Sequence, residues 1–340
     1  MERPHRVRVH PVRTVRALPL PLLDRGPRLP DGPRDVRRAP ARPAAGRGAP
    51  PPFYPDDGPR RPRDEQAPLA APVPARLRPV SAGGVRVPEE RPPLLEVKDV
   101  SRSYFEAGKE FKILERVRFD LAERDFVCIV GPSGSGKSTL LRIILGLDKP
   151  TTGEVRFEGQ PLTPDNPRVA MVFQSFALFP WLTVEQNAEL GLEARHDPLE
   201  ARHAQARKFI EAVGLAGFEN AYPRELSGGM KQRVGIARAL AIEPVLLCMD
   251  EPFSSLDALT AQNLRDEILQ LWSNPELPPK AVLIVTHSIE EAVYLADRVI
   301  VLSARPGRIV AELEIDLPRP RNRKEPEFFG WVDEIYSLIV

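Results

Sequence analysis

Cysteine is almost missing: the 340 residues hold two, Cys128 and Cys248, each inside an apolar run that reads as a buried strand. That excludes a disulfide framework and suits a reducing compartment. Long apolar runs are missing too. The longest, such as 281–285 and 245–249, fall far below the roughly 18 residues that a membrane-spanning helix needs. The chain is expected to be soluble or at most peripheral. Lysine is absent from the first 93 positions, which hold 19 Arg against 10 acids and so carry +9. The remainder, with 29 basic and 37 acidic residues, carries −8. The formal total of +1 therefore describes neither part.

Residues 1–93 are also poor in aromatics and hold 22 of the 39 prolines. Each proline removes a backbone donor and fixes φ, so the segment is expected to be disordered. Its apolar string Ala17-Leu18-Pro19-Leu20-Pro21-Leu22-Leu23 is broken by proline, unlike the h-region of a secretory signal. Interspersed acids argue against nucleic-acid binding and against a transit peptide. An alternative is that translation starts nearer Leu94, the upstream composition being that of GC-rich DNA. Recovery of peptides from residues 1–80 would exclude it.

After Pro92-Pro93 the texture changes to apolar segments separated by turns. Leu94-Leu95-Glu96-Val97 and Val117-Arg118-Phe119-Asp120-Leu121 alternate like half-exposed strands. Phe126-Val127-Cys128-Ile129-Val130 is solidly apolar, as a strand covered on both faces should be. It runs straight into Gly131-Pro132-Ser133-Gly134-Ser135-Gly136-Lys137-Ser138, followed by the helical pattern Thr139-Leu140-Leu141-Arg142-Ile143-Ile144-Leu145. Strand, loop and helix match the phosphate-binding motif G-x-x-x-x-G-K-[ST] in its proper setting. Glycines let backbone N–H groups converge on phosphate oxygens, and the helix start adds free donors and a positive dipole end. Lys137 is expected to reach the β- and γ-phosphates of a nucleotide, and Ser138 to ligate Mg²⁺. A second apolar run, Val245-Leu246-Leu247-Cys248-Met249, ends in Asp250-Glu251. Asp250 is placed to hold Mg²⁺, and Glu251 to polarise an attacking water as general base.

Between these sites lies Leu226-Ser227-Gly228-Gly229-Met230-Lys231-Gln232-Arg233, opening a helix with Ser227 as N-cap. Here the sequence resembles the ATP-binding cassette (ABC) ATPases, whose signature is LSGGQ, with Met230 at the fifth position. The resemblance covers residues 94 to about 315. It implies an adenine-stacking role for Tyr104 and nucleotide contacts from Gly131, Pro132, Ser133, Gly134, Ser135, Gly136, Lys137, Ser138 and Thr139. It also implies a glutamine, Gln174, on Mg²⁺ or the attacking water, Asp257 in the D-loop, and a switch histidine, His287, on the γ-phosphate. Ser227, Gly228 and Gly229 would bind the γ-phosphate held by another subunit. His287 follows a β-rich run that should bring it to the same sheet edge as Asp250. One departure is Arg124-Asp125, where the family has a Gly-Glu turn, so an altered turn is expected. His196 and His203, seven apart, are expected to share a solvated helix face without binding metal, since no Cys or further His stands nearby.

The implied fold is α/β: a P-loop NTPase, ABC cassette type, with a mixed-sheet RecA-like core and an α-helical signature subdomain. Expected boundaries are 1–93 (disordered), 94–318 (cassette, helical subdomain about 175–240) and 319–340, a tail. In the tail Phe328, Val332, Ile335, Tyr336 and Ile339 stand at helical spacing. One set of motifs implies pairing with a second copy or a paralogue. The apolar stretch Phe176-Ala177-Leu178-Phe179-Pro180-Trp181-Leu182 suits a docking surface. An energy-supplying subunit at the cytoplasmic face of a membrane would rely on an integral permease and, indirectly, an extracytoplasmic solute-binding protein, with no nucleic-acid partner. The alternative is an ABC ATPase of DNA repair, chromosome structure or translation. Only 96 positions separate Gly131 from Ser227, with no heptads and no CxxC between them, which fits that class poorly. Pro180-Trp181-Leu182-Thr183-Val184 and Arg305-Pro306-Gly307-Arg308-Ile309 resemble segments of the nitrate, sulfonate and taurine importers.

Overall fold

A computed structural model describes residues 93–340, except 107, 276 and 340, together with the backbone of Leu77–Arg78. The disorder expected of residues 1–93 lies outside the described residues, apart from Pro93 and that dipeptide, which forms strand β1 (Leu77–Arg78). β2 (Leu95–Glu106) and β3 (Lys109–Leu121) pair antiparallel. With β5 (Thr152–Phe157) and β6 (Gln160–Pro161) they form a four-stranded sheet in the order β3-β2-β5-β6.

The larger sheet is built on β4 (Phe126–Val130), β7 (Val169–Val172), β8 (Leu246–Asp250), β9 (Ala281–Val285) and β10 (Arg298–Leu302). These five are parallel, and β11 (Ile309–Glu314) with β1 adds an antiparallel edge, giving β1-β11-β10-β4-β9-β8-β7. The mixed sheet agrees with the expected core. Side chains alternate across it: Phe126, Cys128 and Val130 enter one hydrophobic cluster, Val127 and Ile129 the other. Burial on both faces is why these strands read as unbroken apolar runs.

On one face α1 (Lys137–Ile144) packs between the two sheets. The opposite face carries α5 (Ala258–Ser273), α6 (Ile289–Leu295) and α7 (Pro326–Ile339). The same cluster extends into a helical lobe of α2 (Val184–Ala194), α3 (Leu199–Ala212) and α4 (Gly228–Ala241). α7 is anchored by Phe328, Trp331 and Ile335, while Tyr336, expected on its apolar face, is exposed. Arg321 fastens the chain before α7: its Nη1 donates to the carbonyls of Val293 and Ala296 at 2.6 Å each, at the end of α6. At the unusual turn before β4, Arg124 takes φ +69°, a conformation glycine reaches without steric strain. Asp125 accepts from Ala122 N at 2.9 Å and Arg298 Nη1 at 2.5 Å.

Register fixes where chemistry can gather. Ile129 pairs with Val285, Val285 with Asp250, and Met249 with Val172. The residues that follow these strands therefore emerge along one carboxyl edge, the usual ligand-binding edge of a parallel sheet.

Candidate nucleotide site

The loop 131–136 turns from β4 into α1. Gly136 stands at φ +93°, and a Cβ there would lie 2.8 Å from Leu114 Cδ2 and 3.0 Å from Ile113 Cγ2 on β3. Ser133 and Gly134 form the exposed crest, whereas Ser135 and Lys137 are buried. Lys137 Nζ folds back onto the carbonyls of Gly131 (2.8 Å) and Pro132 (3.1 Å), and burial pulls its pKa down. Ser135 Oγ is buried with no hydrogen-bond partner among the described residues. A buried ammonium that touches only carbonyls, beneath a loop of backbone donors, fits a polyphosphate, which would supply the counter-charge that favours its protonated form.

Ser138 Oγ donates to Asp250 Oδ1 at 3.0 Å, joining the start of α1 to the end of β8. Burial raises the Asp250 pKa, so its ionised form is favoured by a nearby cation. A hydroxyl and a carboxylate at this separation are hard oxygen donors of the kind that suit Mg²⁺.

Glu251 follows in the left-handed region at φ +44°, an unfavourable conformation for a residue with a Cβ. Its N–H donates to Val285 O at 2.9 Å, which holds the strained residue against β9. Three side chains from separate loops meet here. Gln174 Nε2 lies 3.3 Å from Glu251 Oε2 and 3.1 Å from Ser254 Oγ, and His287 Nδ1 lies 3.1 Å from Glu251 Oε2. Ser254 Oγ also donates to the Glu251 carbonyl at 2.9 Å. The structure thus brings Gln174, Asp250, Glu251 and His287 to one edge with Ser138.

Tyr104 is 44% exposed on β2. Its hydroxyl donates to Asp148 Oδ2 at 3.1 Å, and the Arg102 guanidinium stands 4.5 Å over one ring face. Ser227 caps α4, accepting from Met230 N at 3.3 Å; Ser227 and Gly228 are exposed, and Gly229 is buried against Thr260. Asp257 caps α5, accepting from Thr260 N at 3.1 Å. The signature thus belongs to a different element from those that surround Glu251, whereas Asp257 ends the loop that Glu251 begins.

Sequence reasoning missed several residues here. Gly307 braces the phosphate loop: a Cβ on it would stand 2.0 Å from the Ser135 carbonyl oxygen, and its N–H donates to Ile113 O at 2.8 Å. The Arg-Pro-Gly turn was its only signal. The histidine loop rests on Glu291, which accepts from Thr286 Oγ1 and Arg265 Nη2, each at 2.6 Å. The expected pairing of His196 with His203 is wrong. His196 lies in the turn after α2 at φ +60°, and His203 lies on α3. His203 Nδ1 is 2.6 Å from Glu189 and 3.4 Å from Glu185, both buried, with Arg207 Nε on Glu185 at 2.6 Å. That is a charged seam between helices, not a solvated face.

The family model described as ABC transporter matches residues 114–254. The chain is 46% identical over 254 residues to "Nitrate import ATP-binding protein NrtD" of Synechocystis sp., covering 72% of this chain and 94% of that one. It is 41% identical over 234 residues to "Aliphatic sulfonates import ATP-binding protein SsuB" of Bacillus cereus, covering 69% and 91%. Among solved structures, a dimeric post-hydrolysis state of the ATP-binding cassette MJ0796 bound to ADP and Pi is similar with a TM-score of 0.59 and 33% identity. It covers 66% of this chain and all of that one. No helix among the described residues is long and apolar enough to cross a membrane. The chain belongs to the ABC transporter family, as one of its ATP-binding, ATP-hydrolysing subunits.

Proposed function

We propose that this ATPase is the energy-coupling subunit of an importer for a small anionic or zwitterionic solute of the nitrate, sulfonate or taurine kind. It acts as a dimer at the cytoplasmic face of a membrane, beneath a separate integral permease served by an extracytoplasmic solute-binding protein. The observation that carries the chemistry is Glu251, held at a strained φ with Gln174 and His287 on one carboxylate oxygen, beside the Ser138–Asp250 pair.

In this reading Lys137 and the backbone donors of 131–139 hold the phosphates, and the free face of Tyr104 stacks on the base. Ser138, Asp250 and Gln174 would hold Mg²⁺, which supplies counter-charge to the phosphate oxygens. Glu251 takes the proton of the attacking water, Gln174 orients that water, and His287 contacts the γ-phosphate. Ser227 and Gly228, exposed at the start of α4, together with the buried Gly229 complete the site of a second subunit, with Asp257 at the junction. The exposed pair Phe179 and Trp181, ring centroids 5.4 Å apart, faces the permease. The nature of the solute is supported by similarity to the nitrate and sulfonate proteins and by the Trp181 segment.

Two experiments test this reading. Glu251→Gln should keep ATP affinity while turnover falls by about 10²–10⁴-fold; parental turnover would remove Glu251 as base. Purification of the tagged chain from native membranes in mild detergent should retain a polytopic membrane protein. Ribosomal or DNA-repair partners with nothing integral to the membrane would overturn the transport role.

A further inference from the structure

Beyond Gln174 the backbone takes two consecutive left-handed residues, Phe176 at φ +62° and Ala177 at φ +49°. Neither is glycine, so each conformation is unfavourable and persists only where its surroundings enforce it. The enforcing contact comes from α4. Arg238 Nη1 donates to Ala177 O at 2.6 Å and Nη2 to Phe176 O at 3.1 Å. Gly235, three residues earlier and therefore on the same helix face, lies against the same turn: a Cβ there would stand in ordinary contact, 3.5 Å from Phe176 O.

Arg238 is half-buried, and burial pulls its pKa below the ordinary guanidinium value. No carboxylate pairs with it among the described residues; its hydrogen bonds go to these two carbonyls. A partly buried cation without counter-charge is unfavourable. Packing alone would be served by an apolar side chain. An uncompensated cation and a strained turn thus coincide at one contact.

The contact joins three parts of the molecule. α4 is capped by Ser227. The gripped turn begins at Gln174, whose amide touches Glu251. On its far side stands the exposed Phe179, pinned by Asn187 of α2, which accepts from Phe179 N at 2.9 Å and donates to the carbonyls of Leu182 and Thr183.

We propose that Arg238 is a positioning residue: it grips the Phe176–Ala177 turn so that the signature helix, Gln174 and the Phe179–Trp181 pair move as one unit. The hydrolytic consequence rests on the reading of Gln174 and Glu251 given above; the grip itself does not. Displacement of α4 then shifts Gln174 against Glu251 and carries the aromatic pair with it.

The test uses the full chain with Arg238→Met, which keeps the stem but no donor, and Arg238→Lys, which keeps a cation without the two-pronged fork. ATP affinity, kcat and amide hydrogen exchange across residues 174–182 are measured on each. Arg238→Met should bind ATP within about two-fold of the parent, lose roughly ten-fold or more in kcat because Gln174 is misplaced, and exchange faster in 174–182 alone. Arg238→Lys should recover part of both. Unchanged exchange and kcat in Arg238→Met, or faster exchange spread over the whole chain with weaker ATP binding, would overturn the grip. If Arg238→Met does not fold, unchanged values in Arg238→Lys would do the same. Gln174→Ala, run alongside, separates the two readings. Full kcat in Gln174→Ala with local exchange in Arg238→Met keeps the grip and removes the hydrolytic role of Gln174. Lost kcat in Gln174→Ala with unchanged exchange in Arg238→Met removes the grip alone.

Discussion

The chain offers two helix starts of the kind that bind anions, and they are built in opposite ways. α1 follows a left-handed glycine with no side-chain cap, and Lys137 beneath it is buried. Ile113, Leu114 and Gly307 wall it in, and a hydroxyl–carboxylate pair stands beside it. α4 has its cap in place, Ser227 on Met230 N, with Ser227 and Gly228 open to solvent. Among the described residues no Lys–carbonyl cradle and no Ser–Asp pair accompanies it. The first start is an enclosed cradle; the second stands open. In the function proposed above, a chain that carries one of each would be completed by another chain presenting the complementary half.

That contrast can be broken at four places. Lys137→Ala removes the charge from the cradle and should weaken ATP binding by on the order of 100-fold, read by calorimetry; unchanged affinity would contradict the phosphate-loop assignment. Ser227→Arg fills the open start and should leave ATP affinity within about two-fold while hydrolysis falls at least roughly 100-fold. If binding falls as well, the two starts are not independent. Gly307→Ala drives a Cβ into the Ser135 carbonyl oxygen and should destabilise the fold by about 1–3 kcal/mol in urea unfolding, a typical overpacking penalty. It should weaken ATP binding without touching any motif residue. The smallest effect concerns Asp257, whose bond from Thr260 holds its pKa below the usual carboxylate value. A lowered folded-state pKa means the cap stabilises fully above about pH 4, the unfolded value, and loses that stabilisation as pH falls through the folded one. The thermal midpoint of the parent should therefore drop slightly faster on acidification than that of Asp257→Asn.

What was legible in the sequence was local. Gly131 to Ser138 is a contiguous string whose glycines and lysine act within a few residues of one another, so motif and geometry coincide. Asp250 and His287 were legible because unbroken apolar runs mark buried parallel strands, and such strands end at one edge. The Gly307 brace was not legible, since it depends on β11 folding back beside β10 and placing a distant turn under Ser135. The spacing in α7 predicts an amphipathic helix with Tyr336 inward, whereas Trp331 takes an inward place, because several phases fit so short a pattern. The two histidines failed for a related reason: spacing alone gave no sign that α3 begins between them. Arg238 reads in sequence as one more solvated cation on a helix, and only the backbone of another segment reveals its partners.

The proposed function puts the enclosed and the open helix start in different sites. Its most direct test mixes two inactive proteins, Lys137→Ala and Ser227→Arg, and measures ATP hydrolysis. A pair of these chains contains one site with both defects and one with neither. The account predicts that the mixture recovers hydrolysis that neither protein shows alone, with a rate per chain that rises with protein concentration. No recovery on mixing, together with a parental rate per chain that is independent of concentration, would contradict it.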